Sequence, residues 1–358
     1  MNATGNSTGC LRAKCLFTTG ERVAIVIFFS VIFIASLVGN CILFVAIIRN
    51  KRLRRSSTNF SFLSLSFANI LITIFCIPVF TIDAFIAESW LFGSIGCKLV
   101  NFLQTMSINA AILTLLVISV EKFLVVYFPF QFRSQRTKVR YLVFFAWILG
   151  IIQPSVYLSY RKVRESNGVQ WCFEQWPSPD TRKIYIVAQV FVLRFAPLMF
   201  MMFLHALTIK RIKARLQYRR SSDEEGNFNG SGTVQISSHA LKIRKKAVVM
   251  LVVVVTTATV TLFPFNILAC WRVLANPKIT DLFSANLVYL VTLWLMYFNS
   301  ASHPIIFGLM STEYRKAAKS SFRSFVRKSS APSRIVVSSS KKNKEEPMIM
   351  TALASGSA

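Results

Sequence analysis

The chain has 358 residues, 54% of them hydrophobic and 13% aromatic, with a net charge of +28 from 42 Lys and Arg against 14 Asp and Glu. So apolar a composition excludes a disordered chain and a small disulfide-stapled secreted domain, and it suits a protein that crosses a membrane repeatedly. The charge taken alone would suit nucleic acid, but its placement in clusters between apolar runs argues against that partner.

Taken in order, residues 1–22 form an N-terminal segment with two acceptor sequons, Asn2-Ala3-Thr4 and Asn6-Ser7-Thr8, so Asn2 and Asn6 are candidate glycosylation sites. Seven apolar stretches follow, at 23–48, 60–86, 99–127, 141–160, 184–209, 247–271 and 282–309. About 20 apolar residues cross the hydrocarbon core as a helix, and a helix satisfies its own backbone there. The expectation is an all-α membrane protein, a seven-transmembrane helix bundle.

Lys and Arg cluster at Arg49, Lys51, Arg52, Arg54 and Arg55, at Arg133, Arg136, Lys138 and Arg140, and again over 210–220, 242–246 and 315–344. These segments flank the inner connectors after the first, third, fifth and seventh spans, so all lie on one side. The positive-inside rule makes that side cytoplasmic and the N-terminus extracellular. The partner this charge implies is the anionic face of the lipid bilayer. With no short cleavable signal ahead of it, the first span is expected to act as its own signal anchor.

Between the fifth and sixth spans, 216–241 reads as a flexible inner linker, with Ser221-Ser222-Asp223-Glu224-Glu225 and glycines at 226, 230 and 232. After the seventh span, Ser311-Thr312-Glu313 leads into Tyr314-Arg315-Lys316-Ala317-Ala318-Lys319, the pattern of a short amphipathic eighth helix. The seven-helix domain is placed at 23–325, and the Ser-, Lys- and Arg-rich residues 326–358 read as a disordered cytoplasmic tail. Its serines, with those just before it, are candidate phosphorylation sites for arrestin.

Of the seven cysteines, Cys41 and Cys76 fall inside spans and read as packing residues. Cys97 and Cys172 share the oxidising side, and a disulfide between them is expected. Cys10 and Cys15 pair with each other or one reaches Cys270; the sequence leaves both open. No nucleophile stands with a base and no metal ligands cluster, so no enzyme, cofactor or metal is expected.

Gly39-Asn40 in the first span, Trp90-Leu91-Phe92-Gly93 before Cys97, Glu121-Lys122-Phe123 closing the third span with Pro129-Phe130 beyond it, Trp147, Pro197, Pro264 and Pro304 occur in a telling order. On these residues the chain, over roughly 23–325, resembles the rhodopsin-like G-protein-coupled receptors. Pro197, Pro264 and Pro304 each remove a backbone donor within a helix and are expected to act as hinges. The second outer loop, Cys172-Phe173-Glu174-Gln175-Trp176-Pro177, with Arg182-Lys183-Ile184-Tyr185 entering the fifth span, is similar to that of the RFamide peptide receptors. Gln104, seven residues after Cys97, fits that group; an amide bonds a neutral peptide group but supplies no counter-charge for an amine. Tyr297 stands where opsins carry the retinal lysine, which argues against light sensing.

Several residues depart from what the resemblance implies for activation. The sodium-binding aspartate of the second helix is Asn69, and a neighbouring serine is Ala111, while Asn299 keeps one polar position. Without the carboxylate a small hard cation loses its anionic ligand, so sodium insensitivity is expected. The third-helix arginine is Lys122, beside Glu121, and the acid often facing it is Arg244, so a lock between those helices would be like-charged. His205 replaces a tyrosine, Leu262 a tryptophan before Pro264, and Ala258 a phenylalanine; His303-Pro304-Ile305-Ile306-Phe307 replaces Asn-Pro-x-x-Tyr. The lost lock implies raised basal activity, the lysine implies poor coupling, and the sequence does not rank the two.

Candidate ligand contacts are Asp83, Asn101, Gln104, Trp171, Glu174, Trp176, Gln189, Arg194, Phe265, Asn266 and Tyr297. Glu174 and Asp83 suit the arginine of an Arg-Phe-amide end, and the aromatic residues its phenyl ring. Against this stand a basic outer surface (Arg161, Lys162, Arg164, Arg182, Lys183, Arg272) and Arg194 inside the fifth span, where a charge suggests function. The expectation is a multi-pass plasma-membrane receptor for an extracellular RFamide-like neuropeptide, acting on heterotrimeric G proteins. The alternatives are a receptor for an anionic small molecule or lipid, a weakly coupled or constitutively active receptor and, in another class, a transporter or channel.

Overall fold

The computed structural model describes residues 17–128, 136–166, 168–224, 231–275 and 282–329. Asn2, Asn6, Cys10, Cys15 and the tail from 330 lie outside the described residues.

Helix α1 (Thr19–Arg49) starts on a reciprocal cap. The Thr18 hydroxyl accepts from the Glu21 amide at 3.4 Å, and the Glu21 carboxylate accepts from the Thr18 amide at 2.7 Å. Helix α2 is compound: α-helix over Ser57–Leu71, a π turn at Ile72–Cys76, a turn at Ile77–Thr81 and a second π turn at Ile82–Ile86. Pro78 stands two residues after the end of the first π turn. A proline ring cannot donate and crowds the preceding turn, and the wider turn gives it room. Helix α3 is Gly93–Tyr127, and α4 runs from Arg136–Ile152 through a 3-10 turn, Gln153–Ser155, into Val156–Tyr160.

An antiparallel hairpin, β1 (Arg161–Ser166) and β2 (Val169–Glu174), follows, and Gly168 with φ of 74° supplies the positive φ of its bend. Helix α5 is Pro179–Val190, a π turn at Phe191–Phe195 just before Pro197, and Ala196–Glu224. Helices α6 (Ser231–Leu274), α7 (Leu282–Met310) and α8 (Thr312–Ser329) complete the chain.

The segment read as a linker, 216–241, is therefore mostly helical: α5 continues to Glu224 and α6 starts at Ser231. Once an apolar segment has nucleated a helix, good helix formers such as Lys, Arg and Gln extend it at little cost. Residues 225–230 lie outside the described ones. By compactness the chain divides between Ser321 and Phe322, within α8.

Helices α1 to α6 are each long and apolar enough to cross a membrane. Helix α7 has 29 residues, and Asn299, Ser300, Ser302 and His303 dilute its second half. The burial pattern is that of a lipid solvent. On α1, Ile27, Phe28, Val31 and Ile34 are exposed while Ser36 and Asn40 are fully buried. Close helix approaches rest on glycine. A methyl group on Gly39 would stand 2.6 Å from Cγ of Pro304, so α1 and α7 meet with no room for a side chain. Phe307 packs on Phe62 (4.5 Å between centroids) and on Tyr314 (5.9 Å), joining α2, α7 and α8.

Candidate functional site

Cys97 and Cys172 form the expected disulfide, tying β2 to the start of α3. The hairpin is also held by the α2–α3 connector: the Trp90 amide donates to the Gln170 carbonyl at 2.9 Å, and the Gln170 amide to the Ser89 hydroxyl at 2.8 Å. Beneath it lies a cavity of about 400 Å³ between α2, α3, α5, α6 and α7. Cys41, Cys76 and Cys270 are free thiols, with Cys76 fully buried.

Eight of the singled-out residues line this cavity: Asp83, Asn101, Gln104, Glu174, Gln189, Arg194, Phe265 and Tyr297. The Tyr297 hydroxyl donates to Gln104 Oε1 at 3.3 Å, bridging α7 to α3. Trp171, Trp176 and Asn266 do not line it. Trp171 sits on β2 opposite Arg164 in the strand register. Trp176 packs at a tilt against Tyr160 (4.7 Å) and Tyr185 (5.0 Å), and its indole N–H donates to Glu174 at 2.9 Å. Asn266 stands behind Arg194, whose Nη1 donates to Asn266 Oδ1 at 2.5 Å.

Glu174, the carboxylate expected to meet a ligand cation, already holds two. Arg161 Nη2 donates to it at 2.5 Å and Arg182 Nε at 3.0 Å. Arg161 Nη2 also donates to Asn101 Oδ1 at 3.1 Å. Burial pushes the Glu174 carboxyl up, but Arg161, the Trp176 indole and Arg182 outweigh it and hold it below its ordinary value. Arg272 lies over the Tyr289 ring at 4.5 Å. The lining thus carries four guanidiniums, Arg161, Arg182, Arg194 and Arg272, and two carboxylates, Asp83 and Glu174. The pairing of Glu174 was missed in the sequence because Arg161 and Arg182 read only as outer-surface charge.

The middle and far end of the bundle hold the residues that depart from the receptor pattern. Asn69 Nδ2 donates to Asn40 Oδ1 at 3.1 Å and to His303 Nδ1 at 3.0 Å. Asn40 Nδ2 in turn donates to the carbonyls of Ser36 (2.8 Å) and Ser300 (2.9 Å). Every group in this network is neutral. Because Asn69 spends its N–H bonds as a donor, His303 Nδ1 accepts and the ring is the uncharged Nε2–H tautomer. The Ser119 hydroxyl donates to the Leu115 carbonyl at 2.8 Å and so accepts from His205 Nε2 at 3.1 Å, which places a proton on that nitrogen.

Leu262 is buried in the same core as Ala258, and Phe307 is buried without a hydroxyl. Pro264 and Pro304 lie inside continuous helices. The Glu121 carboxylate turns to α2, accepting from the Ser57 hydroxyl at 2.6 Å and the Thr58 hydroxyl at 3.1 Å, and Lys122 Nζ donates to Thr58 Oγ1 at 2.5 Å. Ser57 and Thr58 carried no motif and were missed. The Arg244 side chain lies outside the described residues.

The family model of the 7 transmembrane receptor (rhodopsin family) matches residues 39–307. Neuropeptide FF receptor 2 of Mus musculus is 28% identical over 82% of this chain and 70% of its own length. The QRFP-like peptide receptor of Branchiostoma floridae is 28% identical over 83% of this chain and 77% of its own. Galanin receptor type 1 of Homo sapiens is 28% identical over 88% and 86% respectively.

Proposed function

The chain belongs to the rhodopsin family of seven-transmembrane receptors, and from that premise we propose that it binds an extracellular peptide in the cavity beneath the β1–β2 hairpin and passes the signal to a heterotrimeric G protein. The family is one of multi-pass plasma-membrane receptors and not of enzymes, which sets the transporter and channel alternative aside. In the proposed orientation the disulfide end faces outward and α8 lies on the cytoplasmic side. Ligand binding shifts the population of packings of α5 to α7, whose prolines allow their ends to move.

The observation that carries the peptide reading is the cavity itself. It is open beneath a disulfide-anchored hairpin and presents the side-chain amides of Asn101, Gln104 and Gln189, which match the donors and acceptors of a peptide backbone. The finer reading, an RFamide-like neuropeptide, draws support from relatives named for neuropeptide FF and a QRFP-like peptide. The arginine of such a peptide reaches Glu174 by exchange with Arg161 or Arg182, or pairs with Asp83.

The test is a peptide library that includes amidated Arg-Phe peptides, applied to cells expressing the full chain and read by both G-protein activation and arrestin recruitment. Activation by a peptide is the expected result. Loss of response to amidated Arg-Phe peptides on Glu174→Arg supports the finer reading, whereas an unaffected response removes Glu174 from it.

A further inference from the structure

Arg194 is 6% exposed, and it lines the cavity from within the π turn of α5. Its neighbours in that turn, Phe191 and Val192, are 54% and 63% exposed and face the lipid side. A π turn is a local change of helical phase, and in this one the guanidinium faces the bundle. A charge so placed is costly unless something answers it.

Nothing anionic in the protein answers it among the described residues. The ionisable groups nearest in effect are Tyr157, Tyr185 and Cys270, none of them a carboxylate. Glu174 is taken by Arg161 and Arg182. The hydrogen-bond partner of Arg194 is a neutral amide, Asn266 Oδ1. That amide is itself oriented, because its Nδ2 donates to the Leu262 carbonyl at 2.9 Å. A guanidinium has five donors in a planar fork. One is fixed by Asn266, and Nε has no protein partner. The result is a positioned cation with donors to spare, reached from the cavity.

We propose that Arg194, oriented by Asn266, is a buried subsite for a carboxylate of the ligand. This rests on the cavity being the ligand site. The carboxylate comes from a free C-terminus or from an acidic side chain; an amidated Arg-Phe end offers Arg194 only a neutral carbonyl.

The test uses the full-length receptor, purified in lipid nanodiscs, and reads thermal stabilisation by matched probes. N-acetylphenylalanine and its amide represent the C-terminus, and N-acetylaspartic acid amide and N-acetylasparagine amide represent the side chain. At least one acid stabilises the wild-type receptor at about 10- to 100-fold lower concentration than its amide twin, and which pair differs identifies the source. Arg194→Gln removes the difference. Asn266→Asp, which supplies a carboxylate from within, removes it too and raises the melting temperature of the unliganded receptor. Acid and amide twins of equal effect on wild-type receptor would overturn the subsite. Peptide activation without an acid preference would leave the receptor reading standing, and an acid preference without any peptide agonist would count against the peptide reading alone.

Discussion

Arg161 and Glu174 meet at 2.5 Å over the cavity, joining the start of β1 to the end of β2 across the hairpin, and Arg182 closes the carboxylate from α5 at 3.0 Å. One acid therefore binds three elements at the mouth of the site. Glu174→Gln leaves two partly buried guanidiniums short of a partner and is expected to lower stability by about 1–3 kcal/mol, measured as the thermal unfolding of purified receptor. An unchanged melting temperature would show that the pairing is incidental.

The same pair sets a pH dependence. The folded carboxyl is held below its ordinary value, so its contribution is full above the ordinary carboxylate range and is lost as pH falls through the lowered folded value. Stability is expected to be flat from about pH 6 to 8 and to fall below about pH 4, with the acid limb reduced in Glu174→Gln. Melting temperature against pH for both proteins checks this.

The contact of Gly39 with Pro304 gives a packing test. Gly39→Ala forces a methyl to 2.6 Å from Cγ of Pro304 and is expected to cost about 1–3 kcal/mol by overpacking. Gly308→Ala, where nothing stands within 4 Å, is the neutral control. Equal melting temperatures for the two variants would mean that α1 and α7 are not closely docked.

The neutral network of Asn40, Asn69 and His303 offers a small cation no carboxylate. Agonist affinity is expected to be the same in sodium and in an organic cation at equal ionic strength. A sodium-specific loss of affinity would contradict that.

At the far end, Ser57 and Thr58 hold Glu121, and Thr58 also takes Lys122. This clamp joins α3 to α2. Ser57→Ala with Thr58→Ala is expected to raise basal G-protein turnover by releasing α3, and Lys122→Arg to change basal or ligand-driven turnover by replacing a point charge with a fork. No change in either variant would show that these positions do not limit coupling.

The spans were legible because a bilayer demands about 20 apolar residues in a row, and the disulfide because Cys97 and Cys172 share a side. Helical phase was not. In a helix apolar on most faces, hydrophobic periodicity is weak, so the π turns at Ile72–Cys76, Ile82–Ile86 and Phe191–Phe195 left no mark. The hairpin over Arg161–Ser166 and Val169–Glu174 was hidden by its charges, which suggested a solvated loop. Most of the residues singled out as ligand contacts do line the cavity. The pairing among them was not legible, because Glu174 meets Arg161 and Arg182 only when the hairpin folds back and α5 rises beside it.

The most direct measurement of receptor function is nucleotide exchange on a purified heterotrimeric G protein, driven by the full chain in nanodiscs with a peptide agonist from the library. Agonist is expected to accelerate exchange with the wild-type receptor and to fail with Gln104→Trp, which fills the cavity beside Tyr297, at matched folding. Acceleration that survives Gln104→Trp, or a peptide that binds in the cavity without accelerating exchange, would contradict signalling from this site.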